Sequence, residues 1–291
     1  MWTPKRYSIR IPAGGSTVDL SSSVKLNNGV EMPWMGLGVF QSVPGKETEQ
    51  AVRWALEIGY RHIDTAAFYD NEADVGRAFK DSGLPRESVF ITTKVWNADQ
   101  GFASTLQAFD RSRRKLGLDV VDLYLIHWPV KGKIPETWRA LEKLYAQGKA
   151  RAIGVSNFLV HHLEELSQAS SLAPAVNQVE FHPFLVQKEL LAYETGRGIR
   201  PEAWAPLTRT RGFGNPLIAS LAAKYGKTPA QIILRWDLQL GVVTIPKSVH
   251  RERIEENSRI FDYTLEAADV ERLTALDEGA RIGPNPDTID F

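Results

Sequence analysis

The chain has 291 residues, of which 43% are hydrophobic and 24% charged, a composition that excludes disorder, a coiled coil and collagen. Its 35 Lys+Arg balance 35 Asp+Glu, so no global positive field exists to attract nucleic acid or anionic lipid. With no cysteine, disulfides, thiolate zinc sites, cysteine-ligated iron–sulfur clusters and cysteine nucleophiles are all excluded.

Residues 1–23 contain Gly14, Gly15 and the Ser21–Ser23 run with little apolar periodicity, and read as a flexible or non-native extension. They lack the apolar stretch of a signal peptide, and no later run approaches the roughly 18 apolar residues of a spanning helix. The expectation is a soluble, cytoplasmic monomer with one domain over 24–291. From Val24 onward, short β-branched runs alternate with helical patterns. A strand near Met35–Val39 precedes a helix over Glu47–Ile58, whose Ala51, Trp54, Ala55 and Ile58 share one face. His62–Asp64 is followed by a helix at Glu72–Lys80, and Val89–Thr93 by a helix at Phe102–Leu116. Val121–Ile126 is almost wholly apolar, as a strand buried on both faces should be. Its helix is Pro135–Gln147. Ala150–Val155 pairs with His161–Ala169, and Val176–Glu180 with Glu189–Tyr193. Glu202–Trp204 leads to helices at Pro216–Lys224 and Pro229–Leu240, and Val242–Ile245 to helices at Arg253–Asn257 and Ala267–Leu276.

Eight strand–helix units in this length fit a closed (β/α)8 TIM barrel, an α/β fold, with an open doubly wound sheet as runner-up. Three local patterns fail as motifs. Gly226-Lys227-Thr228 lacks the upstream glycine of a phosphate loop, since Leu221 stands there, and Thr228 before Pro229 reads as a helix cap. Gly212-Phe213-Gly214 has Leu217 at the third glycine of a dinucleotide fingerprint. His161 and His162 sit about 100° apart on a helix and are not expected to share an ion. There is no His-Glu-x-x-His and no Gly-x-Ser-x-Gly, so no metal site and no serine nucleophile are expected.

Catalytic groups of such a barrel lie at the C-terminal ends of its strands. The second strand end offers Asp64 and Tyr69, the third Lys94 and the fourth His127. Singly, each has a bland reading: a loop cap, a rim aromatic, a solvent-facing lysine, a core histidine. Jointly their chemistry is complementary. A tyrosine hydroxyl has a pKa of about 10, a nearby ammonium lowers it, and Asp64 can hold Lys94 charged. His127 can donate to a substrate oxygen beside Tyr69. The set is a general acid facing a carbonyl, lacking only a nucleophile, which a hydride cofactor supplies.

Gly59-Tyr60-Arg61-His62-Ile63-Asp64-Thr65-Ala66 with Tyr69 resembles the aldo-keto reductase signature. So do Thr93-Lys94-Val95-Trp96-Asn97, Leu123 to Pro129, Gly154 to Phe158, Asn177 to Glu180 and Ile245-Pro246-Lys247-Ser248. The match runs from about Val24 to the C-terminus. Leu26 to Pro33, Glu202-Ala203-Trp204 and the ending Arg281 to Asp287 are most similar to the bacterial glyoxal/methylglyoxal and diketogluconate reductase branch.

That resemblance implies NADPH bound extended on the barrel and reduction of carbonyls, with Tyr69 as acid, Lys94 and Asp64 tuning it, and His127 orienting the carbonyl. Ser156, Asn157 and Gln178 would hold the nicotinamide carboxamide, and Trp204 would stack on the ring. Gly38, Val39, Ala205, Leu207 and Val249 also fall at cofactor positions. Ala205 replaces the usual serine at the pyrophosphate, a loss of about 0.5–1.5 kcal/mol for one neutral hydrogen bond. Lys247, Ser248 and Arg253 match the 2′-phosphate site, with Glu256 and Asn257 at the adenine. Phe40, Phe68, Trp96 and Trp128 would form an aromatic mouth, and the brief tail after Leu276 points to an open one. Small aldehydes and α-dicarbonyls are the expected substrates. The alternative is an NADPH-binding regulatory or structural homologue without turnover.

Overall fold

A hairpin leads into the barrel. In the computed structural model, which describes residues 18–289, β1 (Ser23–Lys25) pairs antiparallel with β2 (Glu31–Pro33). Residues 1–17 of the expected extension lie outside the described residues. Its last residues are part of the fold: Leu20 packs against the core, and the Trp34 N–H donates to the Ser22 carbonyl at 3.1 Å. Asn27 and Asn28 turn the hairpin and donate to the carbonyls of Pro174 and Arg151, beside the starts of two barrel strands, so it seats on the N-terminal end of the barrel.

Eight parallel strands follow in sequence order: β3 (Leu37–Gly38), β4 (His62–Asp64), β5 (Phe90–Val95), β6 (Val121–Ile126), β7 (Ala150–Ser156), β8 (Val176–Glu180), β9 (Arg200–Trp204) and β10 (Val243–Thr244). The first and last meet through parallel bridges Met35–Thr244 and Gly38–Lys247, which close the sheet. The open doubly wound alternative is thereby excluded. Gly38 is required at this seam, because a Cβ there would stand 2.9 Å from the Ile245 carbonyl oxygen.

The helices α1 (Lys46–Ile58), α2 (Glu72–Asp81), α3 (Phe102–Leu116), α4 (Ile134–Ala146), α5 (Val160–Ala169) and α6 (Lys188–Gly196) each follow one strand. After β9 come α7 (Pro216–Tyr225) and α8 (Pro229–Gln239), and after β10 come α9 (Arg251–Ser258) and α10 (Ala267–Thr274). Local chemistry sets their ends. Glu47 and Glu49 stand in the first turn of α1, and Arg113, Arg114 and Lys115 in the last turn of α3, each sign matching the local end of the helix dipole. Thr228 and Gln231 form a capping box on α8, as Thr228-Pro229 led one to expect. All of β6 is buried, its faces divided between the barrel interior and the helix shell. Its one charged residue, Asp122, is held by Arg86 and Arg151. No helix among the described residues is long and apolar enough to cross a membrane.

Candidate active site

The strand order brings the ends of β4, β5, β6, β7, β8 and β9 to one rim, around a cavity of about 1000 Å³. Lys94, near the end of β5, is wholly buried and reaches across to β4. Its Nζ lies 2.6 Å from Asp64 Oδ1, 2.9 Å from the Thr65 carbonyl and 3.4 Å from the Tyr69 hydroxyl. Three acceptors thus match the three protons of an ammonium. Burial favours the neutral amine, but the Asp64 charge and hydrogen bond outweigh it and hold Lys94 above its usual range.

Tyr69 follows from a short helical turn, Ala67–Tyr69, placed by β4. Burial pushes its hydroxyl up to about 12, although Lys94 pulls the other way. The sequence had implied a net lowering. Desolvation reverses that sign, because the phenolate would be taken further from water than the ammonium can offset. His127, just past β6, is held neutral by burial and then by the Lys94 charge. Its ring lies edge-on to Tyr69, with centroids 5.6 Å apart. A neutral imidazole donates through one N–H, as an oxygen beside Tyr69 requires.

Asp64, Tyr69 and His127 line the cavity, while Lys94 stands behind them. Phe40, Phe68, Trp96 and Trp128 line the mouth, where Phe68 stacks on Trp96 at 3.8 Å between centroids. Gly38, Ser156, Asn157, Gln178, Trp204, Ala205, Leu207, Lys247, Ser248, Arg253, Glu256 and Asn257 also line it. Val39 and Val249 do not. Val39 is buried in the core and Val249 packs against its edge, so neither side chain faces the cavity.

The polar wall is tightly bonded. Ser156 Oγ donates to the Gln178 carbonyl at 2.8 Å, and Asn157 Nδ2 donates to the His127 carbonyl at 2.9 Å. Trp204 Nε1 donates to Asn157 Oδ1 at 2.8 Å, which fixes the indole plane. Ala205 adopts φ +50°, a left-handed conformation that strains a non-glycine residue. At the far end Lys247 and Arg253 are exposed cations with no ion pair among the described residues. Partial burial lowers the Lys247 pKa.

The tail after Leu276, though brief, reaches the cavity. Gly283, Pro284 and Ile289 line the cavity. The Glu180 carboxylate at the end of β8 accepts from the N–H groups of Ile282 and Gly283 at 2.6 and 3.0 Å. Gly283 lies against the Trp204 ring, where a Cβ would collide. Gln41, Pro206, Arg209, Thr210 and Phe213 also line the cavity without having been read from the sequence.

His161 and His162 do converge, contrary to the helical-angle argument. Their rings are 4.0 Å apart, and their Nε2 atoms lie 3.0 and 3.6 Å from Asp287 Oδ1, because the tail delivers a common acceptor to the first turn of α5. The Leu159 N–H donates to His162 Nδ1 at 3.1 Å, so a neutral ring carries its proton on Nε2, facing Asp287. A proton there leaves His162 Nε2 no lone pair for a metal.

A closed parallel barrel, a tyrosine–lysine–aspartate group under an aromatic mouth and two exposed cations at the far end of one cavity define a (β/α)8-barrel oxidoreductase. The chain belongs to the aldo/keto reductase family, whose sequence profile matches residues 34–278. It is 57% identical to glyoxal reductase of Bacillus subtilis (strain 168), over 94% of this chain and 99% of that protein. An aldo/keto reductase from Brucella melitensis superposes with a TM-score of 0.86 at 48% identity, covering 88% of this chain and all of the other. A Gox0644 mutant in complex with NADPH superposes with a TM-score of 0.89 at 40% identity, over 93% and 99% of the two chains.

Proposed function

We propose that the protein is an NADPH-dependent reductase of small aldehydes and α-dicarbonyls such as methylglyoxal. The observation that carries this reading is the saturated Lys94 ammonium beneath the Tyr69 hydroxyl. A hydroxyl that accepts from Lys94 keeps its own proton for the cavity. The residues at hand suit the cofactor: Lys247 and Arg253, two cations with no ion pair among the described residues, for the 2′-phosphate, and an amide–hydroxyl wall of Ser156, Asn157 and Gln178 for the carboxamide. Trp204 gives the nicotinamide a flat face. When bound, NADPH supplies a hydride to the carbonyl carbon. Tyr69 gives its proton to the carbonyl oxygen, the product is the alcohol, and Lys94 stabilises the phenolate until solvent reprotonates it. The neutral His127 donates to the same oxygen and orients it. Phe40, Phe68, Trp96 and Trp128 surround the entering carbonyl with apolar surface. The glyoxal reductase relative supports the substrate class. The test is loss of NADPH absorbance on adding methylglyoxal or a nitrobenzaldehyde. Failure across a broad aldehyde panel, with NADPH still bound, would favour a binding role without turnover.

A further inference from the structure

Beneath Gln178, on β8, two carboxylates from different strands meet a single nitrogen. Gln178 Nε2 lies 2.7 Å from Asp64 Oδ2 on β4 and 2.8 Å from Glu202 Oε2 on β9. Glu202 is wholly buried in the barrel interior. Among the described residues its only hydrogen bond is the one from Gln178, and its Oε1 has no hydrogen-bond partner. His62, 3.7 Å from that oxygen, is held neutral by burial and shares its Nε2 with Thr92 Oγ1 at 3.2 Å. Glu202 therefore has no ion pair to a charged partner in contact, and its one directed role is toward the Gln178 amide.

An amide has a donor end and an acceptor end, and which way it points follows from its neighbours. With the Asp64 carboxylate ionised against Lys94, an amide oxygen in the place of Nε2 would face a negative oxygen at hydrogen-bond distance. The two carboxyl groups together take both N–H bonds of the amide. Gln178 is thus held with its nitrogen down in the barrel and its Oε1 toward the cavity it lines. We propose that Glu202 is a positioning residue that, with Asp64, locks the Gln178 amide so that it presents an acceptor to the amino group of the cofactor's carboxamide. Glu202 acts through Gln178 and does not itself touch the cofactor. The inference rests on the NADPH reading above, and it names a determinant of how the nicotinamide face is chosen. An acceptor recognises a carboxamide NH2 but gives nothing to a methyl group in that position.

The test compares binding of NADP+ with that of its 3-acetylpyridine analogue, which keeps the carbonyl but carries methyl in place of the amino group. Both dissociation constants are read from quenching of tryptophan fluorescence. The wild type should prefer NADP+. Glu202→Met removes one of the two anchors, and loss of a neutral hydrogen bond should weaken NADP+ by roughly 2- to 12-fold. The analogue should change less than twofold. Glu202→Gln, whose side-chain oxygen can still accept from Gln178, should restore most of the preference. In a Gln178→Ala background Glu202→Met should have no further effect on the ratio, as a double-mutant cycle requires of coupled residues. Equal weakening of both nucleotides by Glu202→Met would mean a structural role only and would overturn the proposal. If Glu202→Met does not fold, the wild type decides: the side-chain amide protons of Gln178, assigned against Gln178→Ala by NMR, should be protected from exchange. Free exchange would overturn the lock. Aldehyde turnover by the wild type tests the reductase reading separately, since these affinities are measured without any carbonyl substrate.

Discussion

The Lys94 ammonium is 3.4 Å from the Tyr69 hydroxyl and has no proton left for anything else, since Asp64 and the Thr65 carbonyl take the other two. Tyr69 is therefore the only member of this trio able to donate to a substrate, and Lys94 can act only through it. With its pKa at about 12, Tyr69 is fully protonated near neutrality. This is the state the proposed general acid needs before the reaction, and the cation beneath it would stabilise the phenolate formed in that mechanism.

Tyr69→Phe should lower kcat for methylglyoxal by about 10²- to 10⁴-fold, the range of general acid catalysis. The dissociation constant for NADPH should stay within twofold. Steady-state rates with a fluorescence titration check this, and near-wild-type turnover would remove Tyr69 from the mechanism.

Lys94→Met should raise the Tyr69 pKa further, because the cation is the main influence pulling it down. Under the proposed mechanism Tyr69 would be the base in the alcohol-oxidising direction, so activity should rise with pH as the phenolate forms. That limb should move to higher pH in the variant, or activity should vanish. An unchanged pH profile at an unchanged rate would show that Lys94 does not tune Tyr69.

Glu202 gives a stability signature of its own. Burial, and then the Asp64 charge, push its carboxyl up to about 8 from an ordinary value of 4.5. A raised folded-state pKa means that the folded protein holds the proton more tightly than the unfolded chain does. The stabilisation is full below about pH 4.5 and is lost as pH rises toward about 8. Buried Glu194, also near 8, and Asp237 titrate in the same direction, so the wild-type slope is shared. Glu202→Gln removes one contributor. Its Tm should fall less between pH 5 and pH 8.5 than that of the wild type, and parallel Tm curves would show that Glu202 is ionised throughout.

The parts of this molecule that could be read in advance are those whose signal is local. Val121–Ile126 announces a two-face-buried strand by its own composition, and Thr228-Pro229 announces its helix. Asp64, Tyr69, Lys94 and His127 stand at strand ends, so the barrel's geometry alone predicts that they share a rim. The hairpin at Ser23–Pro33 was legible but unread: Asn28-Gly29 sits between Val24 and Leu26 on one side and Val30 and Met32 on the other, an alternating pattern around a turn dipeptide. What stayed hidden depends on distant partners. Glu202 gains its meaning from Gln178 and Asp64 on other strands. Gly283 matters because it meets Trp204, and the sign of the Tyr69 shift depends on burial that no spacing reports. Val39 fell at a cofactor position by family likeness, yet strand alternation turns it away from the cavity that Gly38 faces.

Cofactor choice should rest on Lys247 and Arg253. NADPH and NADH differ only in the 2′-phosphate, so discrimination must come from groups that meet it. Both side chains reach the cavity, and neither has an ion pair among the described residues, so a phosphate displaces no existing partner. Lys247 is held at the seam where β3 meets the segment after β10, through the Gly38–Lys247 bridge, and its amine is already partly desolvated. Arg253, in the first turn of α9, offers a planar fork suited to two phosphate oxygens. A hydrogen bond to a charged group contributes about 1.5–3 kcal/mol, so Lys247→Ala or Arg253→Ala should weaken NADPH roughly 10- to 150-fold. NADH should weaken less than about threefold. The preference should also shrink as salt rises, because both cations are exposed and their attraction is screened over about 10 Å at 0.1 M. Titrating both nucleotides into the wild type and the two variants at low and high ionic strength checks each part. Equal losses for NADPH and NADH would assign Lys247 and Arg253 to the adenine or to packing, and the 2′-phosphate reading would fall.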